Sequence, residues 1–223
     1  MMKPDKIIRS NRKTFALEIK PGGVLIVRVP RHATSAQIQS IIDSKAEWIK
    51  KSKVRLAKKY PVQQPKTFKP GDTFWYLGRQ YPLRLTDHQR PPLDLDGAFL
   101  LSKSARDRAK EVFIEWYREE TRSITQRLID QYIKQHHFKV GQVRITSART
   151  RWGSCSSKNN LNFTYRLCMA PLSVVEYVVL HELAHLKHRN HSKAFWDSVA
   201  VLKPDYKKDK AWLKKNGFLL TLD

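Results

Sequence analysis

The run His181-Glu182-Leu183-Ala184-His185 places two imidazoles four residues apart, with a carboxylate beside the first. On an α-helix, positions i and i+4 differ by about 40° in angle and about 6 Å in height, so both rings reach one cation from one face. Glu182 stands near enough to hold a water on that cation without being a ligand itself. Two nitrogen ligands and a neighbouring general base are the parts of a metal-dependent hydrolase. The apolar run Val174-Val175-Glu176-Tyr177-Val178-Val179-Leu180 leads into the motif and predicts the helix it needs.

A catalytic zinc takes three protein ligands and leaves a fourth position for water. His188 and His191 are the candidates for the third. His188 lies on the same face but about 10.5 Å of rise from His181, too far to share the ion easily. Arg189-Asn190 reads as the helix end, and Ser192 as the cap of a new helix anchored by Phe195 and Trp196. His191 then falls on a turn that can bend back, and is preferred to His188. Zinc suits such an open, imidazole-rich site, although nickel, cobalt and manganese accept the same ligands. A structural zinc would be closed by a fourth protein ligand. Cys155 and Cys168 lack CxxC spacing, and Cys155 is the one with a route to the site, from the loop 151–159.

The elements that must position these groups follow from periodicity. Thr14–Ile19 and Val24–Val29 read as a hairpin around Pro21-Gly22-Gly23. Thr34 or Ser35 caps a helix running to about Lys59, with Ile38, Ile41, Ile42, Lys45, Trp48 and Ile49 as its stripe. Tyr60–Pro70 is a connector. Short strands follow at Thr73–Leu77, Gln80–Leu85 and Leu93–Leu101, the last with a turn at Asp96-Gly97. Ser104 opens a stripe about eight turns long, through Val112, Phe113, Trp116, Ile124, Leu128 and Ile133. Val143–Ser147 and Asn160–Thr164 read as strands, and Leu172 to about Arg189 as the metal helix. Ser192–Leu202 and Asp205–Lys215 close the chain as helices. The expected fold class is α+β, with a β-rich lobe carrying one basic helix over 1–101 and a metal-binding, mainly helical domain with a short sheet over 102–223.

The block Arg151-Trp152-Gly153-Ser154-Cys155-Ser156-Ser157-Lys158 joins further marks: Asn160-Leu161-Asn162, Arg166-Leu167, Ala170-Pro171, the histidine motif, His191-Ser192 and Phe195-Trp196. Together they resemble the YgjP-type family of metal-dependent hydrolases, relatives of the SprT-like zincins. The likeness is dense over Thr146–Trp196 and looser at Val29-Pro30-Arg31 and Ala46-Glu47-Trp48-Ile49. It implies a zincin-like fold, His181, His185 and His191 as ligands, and Glu182 as catalytic acid and base. The spacing from His185 to His191 also equals that of metzincins, but this chain has His188 where they have glycine and no methionine after Met169. In zincins a strand near the metal helix often pairs with an extended substrate, and Asn160–Thr164 is the expected strand here. Arg149, Arg151 and Arg166 are candidates to neutralise an oxyanion or a phosphate, and Tyr165 to donate to an oxyanion.

Composition narrows the partners. The 223 residues carry 43 Lys and Arg against 20 acids, a net charge of +23, which favours polyanions. Basic residues concentrate in Lys45–Lys59, opposed by Glu47, and in Lys203–Lys215. Six Trp, eight Tyr and nine Phe supply ample core material, which argues against a disordered chain. Two cysteines exclude a disulfide scaffold and suit a reducing compartment. Neither a membrane-spanning run nor an apolar leader is expected, and the cytoplasm is the expected location. Three functions fit: a zinc metallopeptidase, a metal-dependent phosphohydrolase acting on nucleoside triphosphates, and a nucleic-acid-associated binding protein with a vestigial or SprT-like site. Peptide, nucleotide and nucleic acid are therefore the expected partners, and oligomeric state is not legible.

Overall fold

Alternating apolar residues build the first sheet. In a computed structural model describing residues 2–20, 22–59 (without the side chains of 58 and 59), 65–87 and 90–222, β2 (Ala16–Ile19) pairs antiparallel with β3 (Leu25–Pro30). A further strand, β1 (Lys6–Ser10), pairs parallel with β3 on its other side. Leu25, Val27 and Val29 of this central strand are buried with Ile38, Ile42 and Ile49. Thr34 caps α1 (Ser35–Ser44) in a reciprocal box: its hydroxyl accepts from the Gln37 amide, and the Gln37 side chain accepts from the Thr34 amide. The single helix expected to Lys59 is broken at Lys45, where φ is −113° and ψ is 14°. The Ser44 hydroxyl donates back to the Ile41 carbonyl there, a local bond that competes with the helix. The chain resumes as α2 (Ala46–Lys59), which keeps Ile49 buried and leaves Trp48 45% exposed.

Residues Met1–Gln64 and Pro65–Asp223 form two compact units, so the division falls well before the expected boundary at 101. The reason lies in what the middle strands bury. β4 (Thr73–Tyr76), β5 (Arg79–Thr86), β6 (Leu93–Asp96) and β7 (Ala98–Ser102) form their own sheet in the order β4-β5-β7-β6. Phe74, Leu83, Phe99 and Leu101 enter one core with Phe113 and Tyr117 of α3 (Ala109–His136). Phe74 stacks on Phe113 at 4.2 Å between centroids. The expected single lobe from 1–101 therefore does not form among the described residues. Of the expected connector, 60–64 lie outside the described residues, and 65–70 belong to the larger unit.

The third sheet bears on the site. β10 (Leu161–Thr164) lies between β8 (Val143–Thr146), parallel to it, and β9 (Gly153–Cys155), antiparallel to it. The expected substrate strand is thus central and paired on both sides, which corrects the sequence reading. β9, read from sequence as part of a loop, is the edge strand beside the metal helix. That helix, α4 (Leu172–Ala184), packs against α3, β9, α5 (Lys193–Leu202) and α6 (Tyr206–Asn216). No helix among the described residues is long and apolar enough to cross a membrane.

Lys203, counted in the basic cluster, is not a solvated charge. Its side chain is 11% exposed, with Nζ 2.6 Å from Glu176 Oε2 and 3.5 Å from Asp209 Oδ2. The Tyr132 hydroxyl donates to the other Glu176 oxygen at 2.7 Å. This network joins α3, α4 and α6. Removing one partner of a buried ion pair leaves the other charge unpaired. Lys203→Met is expected to destabilise the protein by about 3 kcal/mol and lower Tm by roughly 6–12 °C. A thermal melt unchanged within a degree or two would show that the network is idle.

Candidate metal centre

The site is the C-terminal end of α4 and the turn that follows. Val174, Val175, Val178, Val179, Leu180, Leu183 and Ala184 are all buried, so the helix is held on every side up to its last turn. The helix ends at Ala184, one turn short of the expected end at Arg189. Amides of Leu186, Lys187 and His188 bond back to carbonyls of Leu183 and Ala184, which tightens the chain into a turn. His185 Nδ1 lies 2.9 Å from the His188 carbonyl oxygen. A carbonyl can only accept, so Nδ1 carries the proton and Nε2 keeps its lone pair for a metal. His188 thus serves through its backbone.

The turn delivers His191. One ring nitrogen each from His181, His185 and His191 lie within 4.8 Å of one another, and the Nε2 atoms of His181 and His191 are 3.0 Å apart. Ser192 caps α5 by accepting from the Phe195 amide, and the two aromatic residues then wall the site. The Phe195 ring is 4.5 Å from His185 and 4.8 Å from both other imidazoles. Trp196 stacks on His191 at 5.6 Å and on Tyr206 at the same distance, and Lys210 Nζ lies 3.7 Å above the Trp196 ring.

Charge favours metal-ready imidazoles. Burial, the two other histidines and Lys210 push His181 down to about 3, and His191 is lowered by burial, His185 and Lys210. Both are neutral at neutral pH, the form that binds metal. Zinc–nitrogen bonds of about 2.0–2.1 Å put neighbouring nitrogens of a tetrahedron about 3.3 Å apart, close to the observed approach. Three imidazole nitrogens converging without a thiolate fit an open zinc site. Cys155 is not in the group. Its sulfur accepts from Arg189 at 3.3 Å, and among the described residues the group consists of the three imidazoles.

Glu182 is 5% exposed, and burial raises its carboxyl to about 8 against the lowering effect of Arg151. Its Oε2 is buried without a hydrogen-bond partner, as is His181 Nδ1. The carboxyl lies against β9. A Cβ on Gly153 would stand 2.6 Å from Glu182 Oε1, so any side chain there would force the Glu182 carboxyl to shift.

The sequence-predicted residues divide. His181, Glu182, His185 and His191 come together, with exposed Arg151 near Glu182. Arg166 is engaged elsewhere: its guanidinium donates to the Ala148 carbonyl at 2.6 Å and covers the Trp152 ring. Tyr165 is buried in the core beside α3, its carbonyl accepting from the Thr121 hydroxyl. Arg149 is exposed. Sequence reasoning missed Arg189. Its guanidinium donates to the Ser156 carbonyl at 2.7 Å and to Asn159 Oδ1 at 2.5 Å, tying the ligand turn to the loop after β9. No sequence signal beyond its place between two histidines marked it.

A family model described as YgjP-like, metallopeptidase domain, matches residues 13–216. Among solved structures, the crystal structure of the metallopeptidase zymogen of Pyrococcus abyssi abylysin is similar at 22% identity and a TM-score of 0.37, covering 40% of this chain and 93% of that one. No curated protein matches the chain.

The buried carboxyl makes a pH prediction for metal-free protein. Its folded value, about 8, lies above the ordinary 4.5, so the unfolded chain ionises first and stability falls as pH rises between the two. Glu182→Gln removes that cost. In denaturant titrations with chelator, the variant should be more stable than wild type by about 2–4 kcal/mol near pH 8.5, and the gap should close near pH 4. An equal gap at both ends would refute burial as the cause.

Proposed function

The chain belongs to the YgjP-like family of metallopeptidase domains, and from that premise we propose that it hydrolyses peptide bonds with one zinc ion held by His181, His185 and His191. Bound there, zinc supplies Lewis acidity toward the scissile carbonyl and toward water. Glu182 takes the proton of the attacking water and passes it to the leaving amine. The observation that carries this reading is the buried Glu182 carboxyl, set next to three converging imidazoles and seated on Gly153. An extended substrate would add to the free edge of β9, whose backbone runs past Glu182. Arg151 would meet negative charge developing beside Glu182.

A second reading rests on the cations. Arg151 acts on Glu182, and Lys210 on His181 and His191. The same pair would hold a phosphate, and the site would then cleave a phosphoanhydride such as that of a nucleoside triphosphate.

Both readings predict that Glu182→Gln keeps its metal and loses about 100-fold or more in kcat. Zinc content by mass spectrometry and turnover of a casein-type protein and a nucleotide panel would check this. Turnover of protein supports the peptidase, and turnover of nucleotide the second reading. Activity of the Gln variant equal to wild type would sink both. Gly153→Ala is a separate test of the seat: the methyl would displace the carboxylate, and kcat should fall about 100-fold with metal content unchanged. Full activity in that variant would mean that Glu182 is not held from β9.

A further inference from the structure

The smaller unit carries a feature that peptide hydrolysis does not use. Among residues 1–64 there are 15 Lys and Arg against 4 acids, a net charge of +11, whereas the other 159 residues hold +12. The acids of this unit are engaged elsewhere. Asp5 accepts from the Leu25 amide, Glu18 pairs with Lys20 and Arg28, Asp43 accepts from Gln39, and Glu47 pairs with Lys50. Among the described residues none of them pairs with Lys45, Lys51 or Arg55.

Those three cations border two depressions that share Trp48, Lys45 the first and Lys51 and Arg55 the second. Phe15 and Leu17 of β2, Ile41 of α1, Lys45 and Trp48 line a cleft of about 300 Å³. Trp48 also borders a second depression, along α2, with Glu47, Lys51, Ser52 and Arg55, where the Glu47 carboxylate is paired with Lys50. The helix break at Lys45 falls between Ile41 and Trp48, and the indole beyond it is 45% exposed. Trp48, Lys51 and Arg55 then follow at three- and four-residue spacing on one face of α2. A large aromatic side chain left half exposed in a row of unpaired cations needs a reason. Solubility would be served by the lysines alone.

We propose that this cleft binds single-stranded nucleic acid, with a base stacked on Trp48 and the backbone phosphates along Lys45, Lys51 and Arg55. A single strand offers a charge and an unpaired π-face at every repeat, which is what the cleft presents in complement. A duplex keeps its bases stacked internally and would leave the apolar slot unfilled. An acidic peptide would need a carboxylate at each turn and an apolar group between. The proposal rests on residues remote in sequence from His181–His191 and stands whether or not the chain cleaves peptides.

The test uses the full-length protein and fluorescence anisotropy of a labelled oligothymidylate. With three phosphate contacts, affinity should fall about 20-fold between roughly 50 and 200 mM salt. Lys51→Glu with Arg55→Glu should weaken binding about tenfold or more and flatten the salt slope. Trp48→Ala should weaken it at least about fivefold with the slope kept. Circular dichroism melts would confirm that each variant folds, and turnover of the substrate that wild type cleaves should be unchanged. Binding that is unaffected by both variants, or absent at low salt, overturns the proposal. Equal or tighter binding of duplex overturns the stacking role. Equal or tighter binding of polyglutamate assigns the cleft to an acidic protein instead.

Discussion

α4 is apolar on nearly every face between Val174 and Ala184, and such a helix is stable only where each face meets other protein. That single constraint decides where the chemistry sits. His181 and Glu182 lie in its last turn and His185 directly follows it, so burying the helix carries a carboxyl group into a region of low dielectric with them. The carboxyl tolerates this because its neighbours are chosen: glycine at 153 opens the space, and Arg151 lends partial compensation. The rest of the second unit then reads as support for one buried helix end. α3 covers one side, α6 and α5 the other, and the edge strand β9 lies across Glu182.

Orientation of the three imidazoles comes from the turn and not from the helix alone. A helix can align His181 and His185, but the third donor must return from outside it. Ending α4 at Ala184 spends the next residues on a tight turn whose carbonyl at His188 fixes the His185 tautomer. Arg189 then fastens the turn to the 155–159 loop, and the Ser192 cap starts α5 so that Phe195 and Trp196 pack on the rings. Each device is individually ordinary. Their sum brings one nitrogen from each of three imidazoles to within 4.8 Å of the others.

How much of this was legible follows from how local each determinant is. The motif, the apolar run before it, the Ser192 cap and the choice of His191 are set by contacts a few residues long, and sequence spacing reads those well. The tertiary determinants were not legible. The break at Lys45 turns on one serine hydroxyl, in a stretch whose apolar spacing continues undisturbed. β9 is three residues long and is a strand only because β10 lies beside it. β10 looked like an edge because its pattern resembles any half-buried strand, and pairing on both sides cannot be seen in one strand. The unit boundary moved because α3, 28 residues long, reaches back to cover the middle sheet. Tyr165 and Arg166 stood near the motif in sequence, but core packing and the Ala148 carbonyl claim them.

The charge of +23 also divides once the structure is known. As one number it suggests a cationic site. Half of it belongs to the first 64 residues, and Lys203 is neutralised inside the second unit. Around Glu182 the lowering influence is Arg151, acting against burial. This sparing use of cations has a chemical logic. A base that must accept a proton from water and return it to an amine works best when its affinity for that proton lies near the working pH. Burial raises the Glu182 carboxyl and Arg151 lowers it, so further cations would bring it down further. A bound metal adds its own positive charge and lowers the carboxyl further. For the proposed role of Glu182 as base, burial and Arg151 thus act in opposite directions on one proton, and the ion would add to the side of Arg151.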